Sequence, residues 1–139
     1  MGGITSYLSL LIILNIFLAI NNYSCVRARS KIHVHVINGL TANDLHVHCY
    51  SKDNDLGQHL LAVSEHLDWS FRTSIFGTTR FSCEMNWAQG HGVFKVFWQG
   101  PGLQRKCDYK DCIWVVADDG LHLKDFGTNK FVFMYPWEK

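Results

Sequence analysis

Only two prolines interrupt the 139 residues, and no Pro-, Gly- or Ser-rich stretch marks a linker, so nothing divides the chain into two folded units. Charge of one sign is equally scarce. Thirteen Lys and Arg stand against twelve Asp and Glu, which excludes the dense basic surface that nucleic acid or an anionic membrane requires. Internal repeats and low-complexity tracts are absent, as is any Cys-x2-Cys knuckle, which argues against a structural zinc site. No Lys or Arg precedes Arg27, so the extreme amino terminus carries only its α-amine as a positive charge. What remains is apolar and aromatic: 47% of residues are hydrophobic and 14% are Phe, Trp or Tyr. That composition supports one packed core rather than a disordered chain.

Long hydrophobic runs are confined to residues 7–20, which hold Ser9 and Asn15 but no charge. As a helix these residues rise only about 21 Å, short of the roughly 30 Å hydrocarbon core of a bilayer. The segment therefore reads as the apolar part of a signal peptide, with Val26-Arg27-Ala28 as a cleavage site. The expected division is a signal peptide over 1–28 and a mature domain over 29–139. Cys25 leaves with the signal peptide, and Cys49, Cys83, Cys107 and Cys112 remain. An even set of cysteines in a short secreted chain predicts two disulfides, in any of three connectivities. Arg27 also leaves, so the mature domain is formally neutral.

Period-two alternation dominates the rest. Ile32, Val34 and Val36 alternate with His33 and His35, and Leu45, Val47 and Cys49 with His46, His48 and Tyr50. Phe81, Cys83, Met85 and Trp87 share one face of a further strand, and Gly100-Pro101-Gly102 ends the arm that follows. Turn signals at Asn38-Gly39, residues 51–57, Phe76-Gly77-Thr78-Thr79 and Asp118-Asp119-Gly120 separate the runs. The pattern predicts an all-β fold, an antiparallel sandwich of about seven or eight short strands, immunoglobulin-like in outline and held by two disulfides. Residues 58–66 fit either a strand or one helical turn. Cys49, Cys83 and Cys112 fall on apolar faces, whereas Cys107 follows Arg105-Lys106 and is expected nearer the surface.

An ordered series of landmarks resembles the plant self-incompatibility S1 family, the S-protein homologues. It runs through Val36-Ile37-Asn38-Gly39-Leu40, Leu45-His46-Val47-His48-Cys49-Tyr50-Ser51-Lys52-Asp53-Asn54-Asp55-Leu56-Gly57, Trp69-Ser70-Phe71, Phe76-Gly77-Thr78-Thr79-Arg80-Phe81-Ser82-Cys83 and Cys112-Ile113-Trp114, then Asp119-Gly120-Leu121. The resemblance implies a small secreted plant protein with a β-sandwich fold, a non-enzymatic extracellular ligand for a cell-surface receptor or other membrane protein. It implies a role of the self-incompatibility or cell-cell signalling type, acting in the apoplast. Two features depart from the family: Asn54 interrupts its acidic run, and past residue 28 there is no Asn-x-Ser/Thr sequon.

Recognition by such a ligand belongs on polar loops. The candidate partner-binding residues are Lys52, Asp53, Asn54 and Asp55, then Arg105, Lys106 and Lys110, then Asp118 and Asp119. Three chemical readings compete. The pairs His33/His35 and His46/His48 have the composition of a general acid and base, but no Lys or Asp partner motif accompanies them, and outward-facing histidines on half-exposed strands are the simpler reading. A metal site would need two adjacent strands to bring both pairs together, and Asp53-Asn54-Asp55 lacks the continuation of a calcium loop. The aromatics Trp69, Phe71, Phe81, Trp87, Phe97 and Trp114 read as core, with a lectin-like carbohydrate or cell-wall module as the alternative if some are exposed. The expectation is a monomer without cofactor, metal or catalytic residues, free of nucleic acid and not inserted in membrane after signal cleavage. The eight histidines make its charge sensitive to mild acid.

Overall fold

The computed structural model describes residues 3–27 and 31–139. A helix, α1, covers Gly3–Arg27, and among the described residues no helix is long and apolar enough to cross a membrane. The expected cleavage site between Ala28 and Arg29 lies outside the described residues.

From Lys31 onward the alternating runs become nine strands: β1 Lys31–Asn38, β2 Leu45–Tyr50, β3 Asp55–Leu61, β4 His66–Arg72, β5 Arg80–Trp87, β6 Gly90–Trp98, β7 Asp111–Ala117, β8 Gly120–Asp125 and β9 Lys130–Pro136. A short helix, α2 Pro101–Lys106, joins β6 to β7. The strands form a five-stranded sheet, β4-β1-β7-β8-β9, and a four-stranded sheet, β3-β2-β5-β6. The all-β sandwich read from the sequence is therefore the fold. Residues 58–66 resolve into the end of β3, a turn containing Ser64 at φ 73° and the first residue of β4, which accounts for the ninth strand. Pairing is antiparallel except between β1 and β7, where Val34 lies against Cys112 and Val36 against Trp114. A parallel pair needs a long crossover; here β2 to β6 intervene.

The valine faces supply the core. Val34, Val36, Val47, Val96 and Val116 are fully buried, with Leu45, Met85, Leu121, Leu123 and Trp114 around them. A register shift at Phe81/Ser82 turns both Val96 and Phe97 inward. Hydrogen bonds also cross between the layers: Trp114 Nε1 donates to the Val96 carbonyl at 2.9 Å, and the Tyr135 hydroxyl to the Lys95 carbonyl at 3.0 Å. Burial pushes the Tyr135 phenol pKa up.

The cysteines pair as Cys49–Cys83 and Cys107–Cys112. Cys49 and Cys83 are direct cross-strand partners on β2 and β5, with Cα atoms 4.0 Å apart. Cys107 corrects the expectation of a surface position, because it is buried. Gly100-Pro101-Gly102 ends β6 as expected, but Pro101 also starts α2. Leu103 and Cys107, four residues apart, then point inward while Arg105 stays exposed. A basic neighbour on a helical turn does not expose the next residue.

Candidate functional site

Strand direction gives the sandwich two ends. One carries the connections 51–54, 73–79 and 99–110; the other carries 39–44, 62–65 and 118–119. They are called here the Phe76 end and the Asn38 end.

At the Phe76 end the 51–54 turn closes on itself. The Ser51 N–H donates to the Asn54 carbonyl at 2.7 Å, and the Asn54 N–H to Ser51 Oγ at 3.1 Å. Lys52, Asp53 and Asn54 project into solvent. Asp55 is held differently: its Oδ1 accepts the Gly57 N–H at 2.9 Å and faces His48 Nε2 at 2.7 Å. The Gly57 N–H first, then His48, draws the Asp55 carboxyl below its usual pKa. Across the same end, Arg105 and Lys110 are exposed and Lys106 is half-buried. The Lys106 carbonyl accepts the Phe126 N–H at 2.9 Å, and the Lys110 carbonyl accepts the His33 N–H at 2.7 Å. Asp108 and Tyr109 complete the loop inside the Cys107–Cys112 bridge with left-handed φ of 51° and 56°.

Asp118 and Asp119 lie at the opposite end. Asp118 accepts the Thr41 N–H at 3.0 Å and the Thr41 hydroxyl at 2.7 Å, and these two bonds hold its carboxyl below the ordinary range. Asp119 Oδ1 meets His122 Nε2 at 2.8 Å. Gly120 closes this turn at φ 145°, where a Cβ would collide with the Tyr135 carbonyl. Asn38, read as a turn residue, proves to be the buried centre of this end. Its Nδ2 donates to the carbonyls of Asn43 and Leu61 at 2.9 and 3.0 Å, and its Oδ1 accepts the Leu40 N–H at 2.9 Å. Of the nine candidates, Lys52, Asp53, Asn54, Arg105, Lys106 and Lys110 thus share one end, while Asp55, Asp118 and Asp119 are engaged within the fold.

The histidine pairs do not converge. His33 and His35 lie on the outer face of the five-stranded sheet, and His46 and His48 on the outer face of the four-stranded one. The whole core separates them, so no acid–base pair or chelate combines the two. Among the described residues no group of three His, Cys, Asp or Glu is placed to hold a metal ion. His35 instead bridges strands: Nδ1 meets Asp68 on β4 at 2.8 Å and Nε2 meets Asp111 on β7 at 3.1 Å, while His66 meets the other Asp68 oxygen at 3.0 Å. Burial disfavours its charge, but the hydrogen bonds to Asp111 and Asp68 outweigh burial and raise the His35 pKa. With a carboxylate on each ring nitrogen, the imidazolium is the form that satisfies both contacts. Residue order carries no sign of this cluster, because Asp68 and Asp111 lie 33 and 76 residues beyond His35. The tryptophans Trp69, Trp87, Trp98, Trp114 and Trp137 are buried or half-buried against the core.

Comparison with known proteins is consistent with this architecture. The family model described as plant self-incompatibility protein S1 matches residues 33–137. S-protein homolog 74 and S-protein homolog 1 of Arabidopsis thaliana are each 37% identical over 110 residues, spanning 78% of this chain and 73% of their own length. A solved structure of SPH (Self-Incompatibility Protein Homologue) proteins, described as a widespread family of small, highly stable, secreted proteins from plants, aligns with a TM-score of 0.61. It covers 81% of this chain and 99% of that one at 16% identity, a likeness of fold.

Proposed function

Because this chain belongs to the plant self-incompatibility protein S1 family, we propose that it is a non-enzymatic extracellular ligand that binds a cell-surface partner. Residues 1–28 direct its export and are removed, and residues 29–139 act in the apoplast as a monomer. The observation that carries this reading is the separation of the histidine pairs by the core, while six loop residues of both charges stand together at one end. A scaffold that ties His35 and His48 to carboxylates on neighbouring strands and offers solvent-facing loops suits recognition rather than turnover. Among the described residues no tryptophan is openly exposed, so the exposed-tryptophan platform that the lectin reading calls for is not formed by those side chains.

The test uses the protein secreted from the whole chain, fluorescently labelled, on intact plant cells. The expected result is saturable binding that unlabelled protein displaces and that mild surface proteolysis removes. Binding that survives proteolysis and yields to wall polysaccharides would instead establish the carbohydrate-binding function. Amino-terminal sequencing of the same secreted protein is expected to begin at Arg29.

A further inference from the structure

The β4–β5 connection leaves in water what a fold ordinarily hides. Ile75 is 74% exposed and Phe76 is 82% exposed, more than any other large hydrophobic side chain among the described residues. Isolated exposed apolar groups are common. Two adjacent ones at the tip of a tightly bonded loop are a different matter.

That loop is braced at both ends. The Ser74 N–H donates to Thr79 Oγ1 at 2.8 Å, and the Thr79 N–H donates to Gln99 Oε1 at 2.8 Å. Gln99 Nε2 returns a bond to the Ser74 carbonyl at 3.0 Å, so one side chain beyond β6 grips both arms of the loop. Within it, the Phe76 N–H donates to Ser74 Oγ at 3.1 Å, and Gly77 reverses the chain at φ 72°. The tip is ordered before any partner arrives, which lowers the entropic cost of binding through it. Burial of Ile75 and Phe76 contributes nothing comparable to the fold itself.

Beside the tip a cleft of about 770 Å³ opens between β4 and the 51–54 turn. Its lining carries Lys52 and Arg80 against the single carboxylate of Asp53, with Tyr50 and Phe71 among its walls. We propose that this cleft and the Ile75-Phe76 tip together form the docking surface for an acidic, extended segment of a partner protein. The segment's carboxylates enter the cleft, and Phe76 seats in an apolar pocket of the same partner. The inference rests on the ligand reading above and names the chemistry of its partner. Charge complementarity selects an acidic occupant. Concavity selects a protruding chain segment over a lipid surface, since a flat bilayer cannot follow cations into a cleft.

The test has two independent arms, both on the protein secreted from the whole chain. In the first, a fluorescein-labelled decapeptide of alternating Glu and Gly is titrated beside its Lys counterpart and beside vesicles of phosphatidylserine and phosphatidylcholine. The Glu peptide is expected to bind at least about tenfold more tightly than the Lys peptide, and Arg80→Glu to remove that preference. Equal binding of the two peptides, or sedimentation with vesicles without peptide binding, overturns the cleft assignment. In the second arm, Ile75→Ser with Phe76→Ser is expected to weaken saturable binding to intact plant cells at least about tenfold at an unchanged melting temperature. Retained cell binding overturns the tip assignment and leaves the ligand reading standing. If the unaltered protein does not bind cells at all, the ligand reading fails, while the peptide titration still decides the cleft.

Discussion

The two ends of this sandwich use polar and apolar groups in opposite ways. At the Asn38 end a buried amide bonds to three backbone groups, Asp118 fastens Thr41, and Asp119 meets His122. At the Phe76 end Lys52, Asp53, Arg105 and Lys110 face water, and Ile75 and Phe76 stand clear of the core on a braced loop. Both ends are ordered by hydrogen bonds. At the Asn38 end the acidic turn residues Asp118 and Asp119 take part in that order, whereas at the Phe76 end Ser51, Asp55, Ser74, Thr79 and Gln99 supply it and Lys52, Arg105 and Lys110 stay in water. On the ligand reading proposed above, recognition belongs to the Phe76 end, while the charged turn residues of the Asn38 end serve the fold.

The largest expected effect comes from breaking the Asn38 end. Asn38→Ala strands the Leu40 N–H and the carbonyls of Asn43 and Leu61 without their partner, and is expected to cost about 3 kcal/mol or more in urea unfolding. Next is the bridge at the Phe76 end: Cys107→Ser with Cys112→Ser closes no loop in the unfolded chain and is expected to cost about 2 kcal/mol, loosening 107–112 in hydrogen exchange. His35→Gln sharpens the comparison through pH. The folded His35 pKa is raised, so its stabilisation is full below the ordinary histidine pKa and is lost as pH rises through the raised value. The melting-temperature gap between the original protein and His35→Gln should be widest near about pH 5.5 and narrow by about pH 8.5.

Asp118→Ala works in the other direction. Its folded pKa is lowered, so its stabilisation is present above the ordinary carboxylate pKa and is lost as pH falls through the lowered value. A small loss of melting temperature at neutral pH that disappears in acid is expected. The smallest stability effect belongs to Ile75→Ser with Phe76→Ser, within about 0.5 kcal/mol, because neither side chain is buried.

Much of the architecture could be read from residue order. The alternation of Val34 and Val36 with His33 and His35 forces the histidines outward once the valines pack, and the structure places them so. The same logic put Cys49 and Cys83 inside, but their pairing depends on β2 and β5 being neighbours, which only register reveals. α2 escaped because a six-residue helix has no periodicity to detect, and with it went the burial of Cys107. Asn38 looked like a turn residue because Asn-Gly commonly is one; its burial follows from the distant carbonyls of Asn43 and Leu61. The candidate loops were legible as polar turns, yet their division between two ends is a property of the topology. Phe76 was read as part of a turn, and its exposure depends on what the finished fold leaves uncovered.

The separation of recognition from stability is tested most directly by saturation binding to intact plant cells, comparing Ile75→Ser/Phe76→Ser with Asp118→Ala, each beside the original protein. The account predicts that the tip variant loses at least about tenfold in affinity while the Asp118 variant binds as the original does. Full affinity in the tip variant, or a loss confined to the Asp118 variant, would contradict it.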